Sequence, residues 1–518
     1  MDNILLNSNA RVFIAEKGAG CGREYVYYNC MKMGGVDKSF GEVTPIYCPG
    51  DIGGEFEQVD SYRGDESPWN TSLAGYKILG ARSVLQRLSR RKTPIDVQVH
   101  FGTCVDLSDF GSYESAIIIE DATFSGYNVD NLGALNSGET APVMETVNLA
   151  AANIYEVFCV KLLEVARGQT QQGVVAAVTT CPEGCATDCL VPCSTFYAWR
   201  FNGDPDFNGN NITIMRSTDG GIVWRDYAFT IPTFNMLSAP LHSFHIACSG
   251  KALFVIGNEA DDHAGAIYRI PLSDFDDGEL SEYRRIEIST QINAVHIAGG
   301  KLWVLDDSGT LTAVNTDSLS ITQEPLGVSG FWEFMSMVDE NNFLLGSVLG
   351  SISAYRNGVI STIDCLTLAG VDDTCQISAV VMRNSDEWFV ATCGGGLHCT
   401  TDAGRTWRTV VNSASPIVDI KFSTKNVGYY LTRSPCRVYR TIDGGATWDL
   451  VDDYIWGVNP DLGFWHGLTV CSHDPNVFVA TGRVTLTTPE DCAEGGCQHA
   501  CELVADTDKG ILVSSQIC

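Results

Sequence analysis

The chain has 518 residues and a net charge of −30 at pH 7, and no stretch of it approaches the roughly 20 apolar residues that cross a bilayer as a helix. Its length exceeds what one hydrophobic core usually serves, so about two domains are expected. The acidity, 22 acidic against 14 basic residues over 1–180 and 41 against 19 over 181–518, argues against a surface that grips nucleic acid, which needs clustered Lys and Arg. Acidity serves solubility, and it also suits a wall past which DNA slides without sticking. The opening MDNILLNSNARVFIAEKG has no basic start and no apolar h-region, so it does not read as a secretory signal and synthesis in a cytoplasm is expected.

Residues 1–180 form the first predicted domain, without internal repeats and mostly of strand period. Two long polar segments, 21–51 and 55–76, exceed ordinary connections and are expected to be ordered by neighbouring subunits. In ARSVLQRLSRRK (81–92) the stripe Val84, Leu85 and Leu88 predicts a helix whose Arg87, Arg90 and Arg91 face water. DVQVHFG (96–102) alternates Val97, Val99 and Phe101, and Ala116–Ile119 reads as a buried strand, whereas 145–166 fits strand or helix equally. The expectation is a β-sandwich or half-barrel with one helix.

Residues 181–194 make a cysteine-rich linker, CPEGCATDCLVPC, with Cys181, Cys185, Cys189 and Cys193 at even spacing, and Cys492, Cys497, Cys501 and Cys518 crowd the other end of the chain. Disulfides stapling the linker and the last repeat are the leading reading. A four-thiolate zinc site and free thiols remain open, although C-x₂-C knuckles are missing. Cys248 and Cys365 lie in apolar runs and read as core residues.

Residues 195–518 are periodic. An apolar first strand recurs at 196–201, 243–248, 292–297, 331–338, 375–382, 417–422 and 467–471, and a partner strand at 252–258, 301–307, 342–348, 387–393, 427–433 and 476–482. Seven units of this period predict an all-β, seven-bladed propeller. Three turns punctuate it: STDGGIVW (217–224), TTDAGRTW (400–407) and TIDGGATW (441–448), the last two with their aspartates 41 residues apart. In each the carboxylate of Asp219, Asp402 or Asp443 can accept backbone N–H groups. Gly221, Gly404 and Gly445 supply positive φ, and Trp224, Trp407 and Trp448 return a ring to the sheet. Ser217, Thr400 and Thr441 open the turns, and Val223 replaces the usual threonine in the first. These turns resemble the Asp-box of BNR-type propellers, where the motif is architectural.

Two further resemblances bear on function. The element order over 30–165, with GGVDKSFGEVTPIYCP and DVQVHFGTC, resembles tail tube proteins of tailed bacteriophages. That resemblance implies hexameric rings of self-copies stacking into a virion tube that conducts viral DNA without specific binding. A propeller would then decorate the exterior, possible host surface glycans would be its ligands, and neither a cofactor nor a membrane would take part. Asp-boxes also occur in sialidases, and YRIP (268–271) is similar to their Arg-Ile-Pro signature, but Arg269 aligns with Arg440 just before an Asp-box, so a decayed box is the simpler account. No catalytic set is identified and the chain is expected not to be an enzyme; the alternatives are a glycan-binding adhesin and, behind it, a glycosidase. Metal sites at Glu139, Glu145, Asp261, Asp262, 274–279 or around His398 with Cys393 and Cys399 weigh less than solvated loops and a strand-end histidine. CGGGLHC (393–399) lacks the Lys-Ser/Thr of a phosphate loop and reads as a hairpin.

Overall fold

The computed structural model describes residues 10–17, 20–28, 31–33, 43–49, 56–63, 68–76, 84–90, 94–102, 113–130, 144–167, 175–179, 195–201, 211–230, 245–249, 251–258, 265–277, 283–288, 290–326, 332–364, 376–413, 415–433, 437–452, 463–471, 474–484 and 509–517. The chain divides into two compact units, one of residues 1–18 and 23–159, the other of residues 19–22 and 160–518.

The first unit contains β1 (Ala10–Lys17), β2 (Glu24–Tyr28), β3 (Met31–Met33), β4 (Val43–Pro49), β5 (Phe56–Arg63), β6 (Trp69–Tyr76), α1 (Val84–Leu88), β7 (Ile95–Phe101), β8 (Ser115–Asp130), β9 (Met144–Ala151) and β10 (Asn153–Phe158). Eight strands pair in the order β2-β1-β7-β8-β9-β6-β3, with β10 also on β8. The 16-residue β8 pairs with β7 and β10 over its first half and with β9 over its second. The changeover falls at Asp121, whose φ is +51° and whose N–H donates to Asp96 at 2.9 Å. Val12, Ile14, Val97, Val99 and Ile119 from one half share a core with Leu73, Val147 and Leu149 from the other, and Leu85 of α1 joins it.

Three sequence expectations change here. Segment 145–166, which fits helix or strand, is three strands broken only at Ala152 and Cys159, and in the first of them Val147, Leu149 and Ala151 alternate with more exposed residues. On β7 the face opposite Val97 and Val99 is buried as well, with Asp96, Gln98 and His100 all nearly inaccessible. The segments expected to be long connections carry β2 to β6, and among the described residues β4 and β5 pair only with each other.

The second unit is a β-propeller of four-stranded antiparallel sheets. Sheet I is β12 (Val175–Thr179), β13 (Phe196–Phe201), β14 (Asn211–Ser217) and β15 (Trp224–Thr230). Sheet II is β16 (His245–Cys248), β17 (Ala252–Asn258), β18 (Gly265–Pro271) and β19 (Arg284–Ile288), with the short α2 (Asp274–Asp277) between its last two strands. Sheet III is β20 (Ile292–Ala298), β21 (Lys301–Asp306), β22 (Thr310–Asn315) and β23 (Ile321–Pro325). Sheet IV is β24 (Phe334–Asp339), β25 (Asn342–Gly346), β26 (Ser351–Arg356) and β27 (Val359–Asp364). Sheet V is β28 (Ile377–Met382), β29 (Trp388–Thr392), β30 (Gly396–Thr400) and β31 (Arg408–Asn412). Sheet VI is β32 (Ile417–Phe422), β33 (Gly428–Thr432), β34 (Arg437–Thr441) and β35 (Asp449–Asp452). These six use consecutive strands. The seventh four-stranded sheet is composite: β36 (Gly463–Val470), β37 (Phe478–Val484) and β38 (Lys509–Ile517) are completed by β11 (Val160–Arg167).

Leading strands lie against one another from β12 through β16, β20, β24, β28 and β32 to β36, and β36 lies against β12. The core sits between successive sheets. Phe254, Ile256 and Ile267 of sheet II meet Leu302, Val304 and Val314 of sheet III, for example, and Leu344 and Ile352 of sheet IV meet Val380 and Val390 of sheet V. Such interdigitation explains why the middle strands are apolar on both faces.

The domain boundaries of the sequence reading shift accordingly. Residues 160–167 and 175–179, assigned to the first domain, pair with β38 and β13 and so belong to the propeller. FYAWRF (196–201), taken as a first strand, is the second strand of sheet I, since β12 precedes it.

Candidate functional site

The three repeated turns occupy one position, between the third and fourth strands of sheets I, V and VI. In sheet VI, Thr441 Oγ1 donates to Asp443 Oδ1 at 2.8 Å and accepts from Gly445 N–H at 2.8 Å. The same carboxylate oxygen accepts from the N–H groups of Ala446 and Thr447, both at 2.9 Å, while Thr447 Oγ1 donates to Oδ2 at 2.6 Å. Sheet V repeats this with Thr400 to Asp402 at 2.8 Å, Gly404 N–H to Thr400 at 3.0 Å and Thr406 donating twice, at 2.8 and 2.7 Å. In sheet I, Ser217 and the N–H groups of Ile222 and Val223 hold Asp219 at 2.8, 3.1 and 2.9 Å, but Val223 offers no hydroxyl to Oδ2. Gly221, Gly404 and Gly445 have φ of +90°, +80° and +91°. A Cβ on Gly445 would meet Phe389 at 2.6 Å, so this glycine also serves close packing between sheets.

The rings differ in how their N–H groups are used. Trp224 and Trp407 donate to the carbonyls of Gly221 and Gly404 at 2.7 and 3.1 Å. Trp448 instead packs edge-on against Phe422 and Tyr430, and its buried indole nitrogen has no hydrogen-bond partner among the described residues.

Electrostatically these carboxylates are occupied. The Thr406 hydroxyl and N–H bonds hold Asp402 down to about 2. Slight burial raises Asp219, but the bonds from Val223, Ser217 and Ile222 outweigh it and leave its pKa lowered. A carboxylate saturated by its own turn and held ionised is a poor general acid and a poor metal ligand.

Beside these turns lies an arginine that sequence reasoning missed. Arg383 pairs with Glu387 at 2.9 Å, sits 4.3 Å over the Phe422 ring, and donates to the carbonyls of Gly444 at 3.3 Å and of Lys425. It thereby ties sheet V to the turn of sheet VI. Nothing in its local sequence marks it, because all these partners but Glu387 lie about 40 to 60 residues away.

The remaining candidates separate. Cys181, Cys185, Cys189, Cys193, Cys492, Cys497, Cys501 and Cys518 lie outside the described residues, as do Glu139, Asp261, Asp262, Cys365 and residues 278–279. Cys248 is a buried thiol that donates to the Ser249 carbonyl. Glu145 is buried in β9, and Asp276 of α2 accepts from Arg216 at 2.7 Å. Arg269 and Arg440 both lie on third strands, and Arg269 Nε donates to the Thr316 carbonyl at 3.3 Å. Gly394 and Gly395 of CGGGLHC lie in the hairpin turn between β29 and β30, and Gly396 opens β30.

His398 lies buried on β30, its Nδ1 3.1 Å from Thr409 Oγ1, and burial lowers its pKa to about 4. Its neighbouring sulfurs are consumed: Cys393 is disulfide-bonded and Cys399 is bonded to Cys21. Cys471 is disulfide-bonded too, whereas Cys159 is an exposed thiol. Among the described residues no group of three or more His, Cys, Asp or Glu side chains is placed to hold a metal, and no helix is long and apolar enough to cross a membrane. The bond between Cys21 and Cys399 spans 378 residues, a separation that carries no sequence signal.

No family model matches the chain, and no curated protein matches it. Three solved structures are similar to about two thirds of the chain. YCF48 from Cyanidioschyzon merolae is 14% identical with a TM-score of 0.45, covering 68% of this chain and 98% of that one. A YCF48 structure solved with a D1 peptide is 10% identical with a TM-score of 0.43, over 70% of this chain and 96% of that one. The WD40 β-propeller domain of Doa1 is 12% identical with a TM-score of 0.43, over 68% and 96%.

Proposed function

We propose that the chain is a structural virion subunit, in which the first unit assembles with copies of itself into stacked rings of a tail tube and the propeller is carried on the exterior. One observation carries the assembly: β4 and β5 form a two-stranded sheet of seven and eight residues that pairs with no third strand among the described residues. An isolated hairpin of that kind is marginal in water, and both of its edges offer unpaired N–H and C=O groups to another chain. A neighbouring copy supplies the missing strand by β-augmentation.

The two halves of the folded first sheet, closed over the Val97, Leu73 and Leu149 core with α1 alongside, suit a tail-tube-like sandwich. The seven sheets suit a seven-bladed ring of Asp-box type, closed by β11 completing the last sheet. Closure by strands from both ends of a repeat series leaves no broad open sheet edge. The net charge of −30 suits a conduit in which DNA slides rather than binds. The role is passive: no catalytic step is assigned to any residue, and glycans on a host surface are the ligand class proposed for the propeller.

Negative-stain microscopy of the purified full chain tests this. Regular tubes bearing lateral knobs are expected; a dispersed monomer at high protein concentration contradicts it.

A further inference from the structure

Residues 20–22, Gly-Cys-Gly, form a single 3-10 turn in the connection between β1 and β2, yet they group with the propeller unit. Four contacts hold them there. Cys21 is bonded to Cys399 on β30, and both residues are at most 2% exposed. The Cys21 side chain lies in the core shared by sheets V and VI, with Phe389, Leu397, Ile417 and Tyr430. Arg408 of β31 donates to the Cys21 carbonyl at 3.1 Å.

The fourth contact is one of exclusion. Gly20 has φ of +52°, and a Cβ there would lie 2.1 Å from Glu387 Oε1. That carboxylate cannot swing aside freely, because Arg383 pairs with it at 2.9 Å and Asn384 donates to its other oxygen at 3.4 Å. Only glycine therefore satisfies both the backbone conformation and the close approach. Were the cysteine pair a mere encounter of two exposed thiols, neither a shaped seat nor a donor to the Cys21 carbonyl would be needed beside it.

We propose that Gly20-Cys21-Gly22 is a latch that seats on sheet V before any covalent bond forms, and that the disulfide then locks it. The occupant is this chain's own segment, in the same copy. Locking converts two thiols to one disulfide: on a transient opening of the seated turn the Cys21 thiolate attacks a low-molecular-weight disulfide and releases one thiol, and on reseating the Cys399 thiolate attacks the mixed disulfide and releases the second, so that two protons and two electrons pass to the oxidant. Once formed, the bond is shielded from reductant by its own burial, so the latch closes after folding and stays closed in the native protein. Seating comes first and oxidation second.

The test measures the linked Cys21–Cys399 peptide by mass spectrometry of non-reduced digests, after refolding the full chain reduced and adding oxidised glutathione. In the wild type the linked peptide is expected to form within one chain and to survive dithiothreitol under native conditions, while exposed Cys159 alkylates at once. Gly20→Val is expected to abolish the linked peptide although both cysteines remain, with Cys393 and Cys471 still protected as evidence of a folded propeller. A Gly20→Val chain that links as the wild type does overturns the latch, as does a wild-type link found between chains or reduced as fast in native buffer as in urea. If Gly20→Val leaves Cys393 and Cys471 open to alkylation, Arg408→Ala decides: linking slowed by about fivefold, as expected for one lost hydrogen bond, supports seating, and an unchanged rate overturns it.

Discussion

Within the propeller, every sheet finds its own partners, whereas the first unit contains a hairpin that does not. Sheets I to VI each bury their apolar faces on the next, and their turns are saturated by side chains a few residues away, as around Asp443. Among the described residues the β4–β5 hairpin has only its own two strands. The contrast teaches where to look for interaction: a segment whose backbone bonds are complete is architecture, and one whose edge is open invites a second chain.

Removing residues 43–63 sharpens the contrast most. Loss of all assembly is expected in microscopy and sedimentation, with the propeller's thermal transition unchanged. A deletion that leaves tubes intact would break the link between the open edge and assembly. Next in size is Asp443→Ala in the buried turn of sheet VI, which strips four hydrogen bonds and leaves the N–H groups of Ala446 and Thr447 without their acceptor. A loss of about 3 kcal/mol in urea unfolding is expected. The same change at exposed Asp219 should cost less than half as much.

A third prediction uses pH. Burial holds the His398 pKa at about 4, below its unfolded value, so the unfolded chain binds the extra proton first. Stability from this group is complete above about pH 6.5 and is lost as pH falls toward 4, by up to about 3 kcal/mol. Thermal midpoints of His398→Gln should show a flatter dependence over that window than the wild type. Asp402 titrates in a separate, lower window: with its pKa held at about 2, its contribution is present above about pH 4 and fades as pH falls toward 2. Smallest are two repairs of imperfect turns. Ala403 has φ of +61° where its counterparts Gly220 and Gly444 are glycines, so Ala403→Gly should gain about 0.5–1 kcal/mol despite the entropy of a glycine. Val223→Thr should gain about 0.5 kcal/mol by supplying the hydroxyl that Thr406 and Thr447 give their aspartates.

Much of the propeller was legible because repetition exposes its own period: apolar middle strands such as 252–258, 342–346 and 388–392 recur where expected. The turns were legible residue by residue, since their bonds run over two to four positions. They also held information that went unused. Asp402 and Asp443 follow the third strand of their sheets by two residues, and applying that phase to Asp219 makes 211–217 a third strand and 196–201 a second, which requires another strand before it. What the sequence could not show was contact at long range. Strand 160–167 completing the last sheet, Arg383 reaching across to Gly444, and Cys21 bonded to Cys399 join positions with no spacing rule between them. The buried polar face of Asp96, Gln98 and His100 was equally hidden, because alternation predicts which residues share a face and not whether the polar face is covered.

Amide hydrogen exchange over residues 43–63 tests the central claim most directly. In assembled protein the hairpin amides should exchange slowly on both strands, and dissociation to single chains should make the amides on the outer edges exchange fast while the propeller core stays protected. Fast exchange of those edges at every concentration, or protection that persists in a single chain, would contradict an edge completed by a second copy.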